Sequence, residues 1–272
     1  MALPTPSPDR TSIVTGASSG IGAEIARELA RRGQGVTLVA RRKAPLDDLA
    51  SELSAAHGVR AEVISTDLTD AGARAAIADT LTERGLEVTV LVNNAGLSTT
   101  GPVSSSDPDA EIRMIRTDVE AVAHLCSLFI PGMAERRTGA VLNVASTAAF
   151  QPLPGQAGYG ASKAFVLSYT HALRGELGGS GVNVTVLCPG PVETGFAEAA
   201  GFSPEEAEGA LPKFMWVAAA DVARQAVDAL SAGRPVVIPG LANRATAMSA
   251  WMTPRRVLVP ILAKMHPALK GR

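Results

Sequence analysis

Aromatic side chains are scarce in this chain, at 4% of 272 residues, so its interior must be filled by aliphatic groups. Cys126 and Cys188 are the sole cysteines, too few and too far apart for a disulfide framework, a zinc site or a redox pair. Both read as buried thiols in a reducing compartment. His57, His124, His171 and His266 lack metal-ligand spacing, and no metal is expected. No apolar run reaches the roughly 20 residues that span a bilayer; residues 257–263 are interrupted by Pro260 and followed by Lys264. The N-terminus carries Pro4, Pro6 and Pro8 where a secretory signal has a basic region and an apolar run. Residues 1–10 read as a flexible arm, and a cytoplasmic location is expected. A formal net charge of −1 gives no general attraction to nucleic acid or membrane, so no nucleic-acid partner is expected.

Hydrophobic residues at 46% against 19% charged suffice for a large core, and the length suits one α/β domain. Apolar runs at 12–15, 36–40, 61–65, 88–92, 140–144, 182–187 and 236–239 alternate with helical patterns. That alternation predicts a single-domain, Rossmann-type, doubly wound parallel sheet with helices on both faces. The core is expected over 11–240. A long helical stretch over 108–136, bent around Pro131, presents Ile112, Ile115, Val119, Val122, Leu125 and Leu128 on one apolar face. Residues 241–272 form a separate basic, partly apolar tail: from 229 onward there are seven bases and no acid.

Ligands of such a sheet bind beyond the carboxyl ends of its strands, where Gly16, Arg41, Asp67, Asn93 and Ser146 fall. The first strand runs into Gly16-Ala17-Ser18-Ser19-Gly20-Ile21-Gly22, and a helix follows with Ile25, Ala26, Leu29 and Ala30 on its buried face. A turn without side-chain bulk lets backbone N–H groups approach a pyrophosphate at a helix N-terminus. The second strand ends in Arg41-Arg42-Lys43, and Ala40 stands where an acid would bind a ribose 2′-hydroxyl. Arginine there pairs with a 2′-phosphate, which favours NADP over NAD; a solvated basic turn is the other reading. Asp67, followed by Leu68, either caps the next helix or faces adenine. Asn93-Asn94-Ala95-Gly96 either lies flat against a ligand or forms a turn.

The chemistry centres on Tyr159-Gly160-Ala161-Ser162-Lys163, with Ser146 thirteen residues before Tyr159. On a helix beginning at Tyr159, Lys163 lies on the same face one turn on. A phenol titrates near about 10, so bringing it to neutrality takes roughly 4 kcal/mol. Coulomb's law supplies roughly that from one unit charge about 4 Å away at an effective dielectric of about 20. Tyr159 could then exchange a proton near neutral pH.

With these motifs in this order, the chain resembles the short-chain dehydrogenase/reductase family over residues 13–240. The residues that carry the resemblance are Thr15 through Gly22, Asn93 through Gly96, Ser146 with Tyr159 and Lys163, and Pro189-Gly190-Pro191-Val192-Glu193-Thr194. It implies hydride transfer between NAD(P) and a carbonyl or alcohol carbon. Tyr159 would be the proton donor, Ser146 would hold the carbonyl oxygen, and Lys163 would lower the Tyr159 pKa and bind the nicotinamide ribose. The cofactor contacts implied are Gly16, Ser18, Ser19, Gly20, Ile21 and Gly22 at the turn, Arg41 and Arg42 at the 2′-phosphate, and Asp67 and Leu68 at adenine. Asn93, Ala95 and Gly96 would lie on the nicotinamide side, with Pro189, Gly190, Val192 and Thr194 opposite and Thr194 at the carboxamide. Asp118 stands where the family has an asparagine supporting a water relay. Either its carboxylate pairs with Lys163, or its backbone carbonyl serves the relay and the side chain faces elsewhere; retained activity is the expectation.

The leading expectation is an NADPH-dependent reductase of a small-molecule carbonyl, reversibly an alcohol dehydrogenase, with a lipophilic ketone as substrate. A non-catalytic NADP-binding scaffold or sensor is the alternative. Residues 195–216 read as a substrate lid or a surface excursion. The resemblance implies a homodimer or homotetramer. For the tail, packing against a neighbouring subunit or over the substrate mouth is preferred to peripheral membrane contact.

Overall fold

A computed structural model of the chain describes residues 3–196 and 212–269. Its strands are β1 (Arg10–Thr15), β2 (Val36–Ala40), β3 (Ala61–Ser65), β4 (Glu87–Asn93), β5 (Gly139–Val144), β6 (Val182–Leu187) and β7 (Val236–Val237). They form one sheet in the order β3-β2-β1-β4-β5-β6-β7, and every neighbouring pair is parallel. Parallel strands need a long crossover, usually helical. These are α1 (Gly20–Arg31), α2 (Lys43–His57), α3 (Ala71–Glu83), α4 (Pro108–Ile115) with α5 (Ala121–Glu135), α6 (Ala157–Glu176) and α7 (Ala219–Ser231).

Helices on both faces explain why β2, β5 and β6 are buried at every position and read as nearly continuous aliphatic runs. Successive strand residues point to opposite faces. Thus Val14, Val90 and Leu142 pack beneath α1, α2 and α7, whereas Ile13, Leu91 and Val141 pack beneath α3 and α5. Few aromatics are needed to fill either layer.

Three elements depart from the sequence expectation. The long helix over 108–136 is interrupted by a π turn at Arg116–Glu120, so the irregularity precedes Pro131. One surplus residue per turn puts the stripes on either side out of line: Met114, Thr117 and Asp118 face inward, while Ile112 and Ile115 are exposed. The last strand keeps only Val236 and Val237. Finally, α6 begins two residues before Tyr159, placing it in the first turn.

The tail forms α8 (Leu241–Met252), α9 (Arg255–Met265) and a 3-10 turn, Pro267–Leu269, with the chain breaking helix at Thr253 and Pro254. It folds back on the domain. The Asn243 amide, 1% exposed, donates to Met215 O at 2.9 Å and Pro239 O at 3.0 Å. Arg255 donates to Phe150 O at 3.2 Å, and His266 Nε2 lies 3.3 Å from Gln156 Oε1. These two contacts anchor α9 at both ends of the loop between Ser146 and Tyr159. No helix of the described residues is long and apolar enough to cross a membrane.

One buried cation ties two crossovers together. Arg74 of α3, 1% exposed, donates to Leu68 O at 2.5 Å and His124 Nδ1 at 2.9 Å, and pairs with Glu120 of the π turn. Removing it leaves buried acceptors without a donor. Arg74→Leu is expected to lower the unfolding free energy by about 3 kcal/mol in urea titration, and a change below about 0.5 kcal/mol, the scale of an ordinary surface substitution, would refute this role.

Candidate active site

The site begins where β1 meets β4. Thr15 Oγ1 accepts from the backbone N–H groups of Asn94 (2.9 Å) and Ala95 (3.0 Å) and donates to Val92 O. The Asn94 side-chain amide donates to Thr15 O at 2.9 Å. Gly16 and Gly20 adopt left-handed backbone, φ 66° and 57°, which favours glycine. A Cβ on Gly22 would lie 2.5 Å from Gly16 O and 2.4 Å from Asn94 Nδ2. The turn therefore closes on itself and on β4 with no room for a side chain.

A cavity of about 750 Å³ runs across the carboxyl ends of the strands, within the size range of small-molecule and cofactor sites. Gly16, Ser18, Ser19, Gly20 and Ile21 form one wall with Arg41 and Arg42 beside them. Arg42 Nη2 donates to Ser18 Oγ and Ser19 Oγ, each at 3.1 Å. Asp67 and Leu68 line the same end. Asp67 Oδ1 accepts from Thr69 N–H at 2.9 Å, and Asp70 is the N-cap of α3, so Asp67 is not the helix cap. Ala95 and Gly96 continue the wall toward Tyr159 and Lys163, facing Pro189, Gly190, Val192 and Thr194. The Thr194 methyl packs against Gly20, where a Cβ would come within 3.1 Å.

Two residues expected to line the cofactor side sit behind the wall instead. Gly22 is buried beneath the turn. The Asn93 side chain, 2% exposed, points into the sheet and donates to Asn143 Oδ1 at 2.8 Å; Asn94 is the amide that borders the cavity. Phe196 and Trp216, the described ends of the expected lid, line the cavity, and Phe196 lies 5.9 Å from the Tyr159 ring between centroids. The rest of that segment, 197–211, lies outside the described residues.

Ser146, Tyr159 and Lys163 share the far wall. Ser146 follows β5, and its Oγ accepts from Ala148 N–H at 3.1 Å. Lys163 Nζ lies 5.6 Å from the Tyr159 ring centroid and 3.4 Å from Val144 O. It also lies 2.9 Å from Asp118 Oδ2. Asp118 is fully buried, and its Oδ1 accepts from Leu97 N–H at 2.7 Å. Gly96 roofs the pair, since a Cβ there would sit 3.1 Å from Lys163 Nζ and 3.3 Å from Asp118 Oδ2. The arrangement in which this side chain faces elsewhere is thereby replaced by the ion pair. Leu97, whose amide completes it, carries no signal in the sequence.

The pairing changes the electrostatics. Burial acts to lower the Lys163 ammonium pKa, but Asp118 and Tyr159 outweigh it and raise it. Burial raises the Asp118 carboxyl against the pull of Lys163 and the Leu97 amide. Burial likewise raises the Tyr159 phenol; Lys163 and Ser146 act to lower it and Asp118 adds to the rise. The protein's own groups thus hold this phenol above its ordinary value, contrary to the acidified phenol expected, because burial outweighs the ammonium charge and Asp118 adds to the rise. Burial also pushes Cys188 and Cys126 up to about 12, and both remain thiols.

A parallel sheet wound outward from β1 and β4, with a glycine turn opening a helix beside a cavity at their carboxyl ends, defines a dinucleotide-binding fold. A short chain dehydrogenase model matches residues 10–202, and the chain belongs to the short-chain dehydrogenase/reductase family. A very-long-chain 3-oxoacyl-CoA reductase of Anas platyrhynchos is 39% identical over 189 residues, 67% of this chain and 60% of that protein. The chain therefore spans less than two thirds of that relative's length. A short-chain dehydrogenase from Sphingobium yanoikuyae in complex with NADPH superimposes with TM-score 0.79 at 33% identity, over 92% of this chain and 95% of that one. A family member from Burkholderia phymatum in complex with NAD gives TM-score 0.78 at 28% identity, over 88% and 92%.

Asp118→Asn removes the negative charge that raises the phenol and keeps an acceptor for Leu97. If Tyr159 donates the proton in carbonyl reduction, the rate falls as pH rises through its pKa. The falling limb of the pH–rate profile should therefore move to lower pH in the variant. An unmoved limb would remove Asp118 from the proton path.

Proposed function

We propose that the protein is an NADP-dependent carbonyl reductase that runs reversibly as an alcohol dehydrogenase. The observation that carries this reading is the convergence of Ser146, Tyr159 and Lys163 on one end of a cavity whose other end is the glycine turn. The donor set along it fits a dinucleotide phosphate: backbone at the N-terminus of α1, the hydroxyls of Ser18 and Ser19, and two guanidinium groups. The turn would hold the pyrophosphate, Arg41 and Arg42 the 2′-phosphate, and Asp67 with Leu68 the adenine end. Ala95, Gly96, Pro189, Gly190, Val192 and Thr194 would border the nicotinamide. When bound, that ring supplies the hydride equivalent to the carbonyl carbon.

The chain's own residues then manage the oxygen. Ser146 Oγ donates a hydrogen bond to it and Tyr159 gives it the phenolic proton. The ammonium of Lys163 stabilises the phenolate left behind. A phenol at or above its ordinary pKa is protonated at neutral pH, the state that proton donation requires. Arg42 over Ser18 and Ser19, with Ala40 at the acid position, supports NADP; similar structures hold NADPH in one case and NAD in another. Phe196 and Trp216 on the cavity wall support a lipophilic ketone, in keeping with the long-chain acyl substrate in the name of one relative. Exposed Ile112 and Ile115 on α4 suit burial against a second copy in a homodimer or homotetramer.

The Asp118–Lys163 pair is the observation behind a second reading, an NADP-binding sensor in which the shared ammonium no longer serves the proton path. NADPH oxidation with a panel of ketones separates the two, since a sensor binds the cofactor and turns nothing over. Tyr159→Phe should lower turnover by about a hundredfold or more while NADPH binding persists; full turnover in the variant would end the catalytic assignment. Arg42→Ala should weaken NADPH binding roughly tenfold, the scale of a hydrogen bond to a charged group, and leave NADH binding nearly unchanged. Equal weakening of both would exclude Arg42 from the 2′-phosphate.

A further inference from the structure

Twelve large hydrophobic side chains stand exposed among the described residues, and seven lie within 241–265. On α8, Leu241, Met248 and Met252 recur at helical spacing, with Trp251 adjacent; on α9, Val257, Ile261 and Met265 do the same. Leu241 is 82% exposed, Met252 73% and Trp251 68%. None of these is a core residue turned slightly outward. The inner side of α8 is taken by Asn243, Ala247 and Ala250, which are buried. On α9 the inward positions are Leu258, Val259, Leu262 and Ala263, each partly covered. The helix is therefore apolar on its partly covered side and again on the side that faces solvent. A concentrated exposed apolar patch marks an interaction surface.

Charge identifies what it meets. Arg244, Arg255, Arg256 and Lys264 are exposed on the same two helices, and the sequence has no aspartate or glutamate after Asp228. A second copy docking through this face about a two-fold axis would set the patch against itself, cations against cations with no carboxylate to pair them. An anionic lipid surface supplies both complements, phosphate oxygens for the bases and acyl boundary for tryptophan, methionine and isoleucine. The rest of the chain carries the compensating acids, which is why the formal net charge of −1 conceals this face.

We propose that the outer faces of α8 and α9 seat the protein on anionic membrane. The contact is peripheral and reversible, and it is independent of the cofactor and substrate reading. The inner side of α9 lies over the loop between Ser146 and Tyr159, so the membrane-facing element is also the one next to the catalytic wall.

The test is co-sedimentation of the full chain with vesicles of phosphatidylcholine alone and of equal parts phosphatidylcholine and phosphatidylglycerol, across a salt series. Binding is expected to the mixed vesicles only, and to weaken as salt rises. Neutralising Arg256 and Lys264 together (Arg256→Gln, Lys264→Gln) should reduce partitioning roughly twenty-five-fold, about fivefold per charge. Trp251→Ser with Met252→Ser should reduce it at least about tenfold. Circular dichroism checks that each variant is folded, and the wild-type lipid and salt series decides the matter even where one is not. No sedimentation with either vesicle, equal sedimentation with both, or unchanged binding by folded variants would overturn the proposal. So would self-association in light scattering that the same substitutions abolish while vesicles stay unbound.

Discussion

The seam between β1 and β4 is the constraint from which the rest of the molecule follows. The sheet winds in opposite directions from these two strands, so their carboxyl ends diverge from the helices on either side and leave a crevice. A single hydroxyl, Thr15 Oγ1, receives two backbone amides from the neighbouring strand's exit, and Asn94 returns a bond to the first strand. The glycine turn can close against β4 because neither Gly16 nor Gly22 carries a side chain. The open backbone at the N-terminus of α1 and the flat wall at Ala95 and Gly96 both depend on that closure. The binding crevice and the fold are thus one arrangement of backbone.

Electrostatics at the far end of the crevice are governed by what the lysine faces. An ammonium beside a phenol would by itself ease loss of the phenolic proton. Here the ammonium is shared with a carboxylate that cannot reach water and that is itself held by a backbone amide. The result is a neutral pair in which Lys163 is firmly charged and oriented, while its pull on Tyr159 is partly cancelled.

The strands and the position of the crevice were legible in the residues, because aliphatic runs ending in glycine or small polar groups leave few alternatives. The glycine turn and the Tyr159 to Lys163 spacing were legible for the same reason: each demands particular residue types at fixed intervals. The direction of Asp118 was not. It depends on a π turn that inserts one residue into an otherwise regular helix, and no side chain in Arg116–Glu120 announces it. Asn93 and Asn94 are chemically identical neighbours, and only the strand's pleat decides which one meets the crevice. The tail's composition was plain, yet that its second helix is apolar on its solvent side as well emerges only once the other side is seen to be partly covered.

The anchoring of α9 at Phe150 and Gln156 has a dynamic consequence. The loop joining Ser146 to Tyr159 is held by the last helix as well as by Ser98 and Gly101, so fraying at the C-terminus removes one of its supports. Helix ends at chain termini open at low free-energy cost. Whatever steadies that helix from outside would therefore also restrain one side of the wall that carries Ser146 and Tyr159.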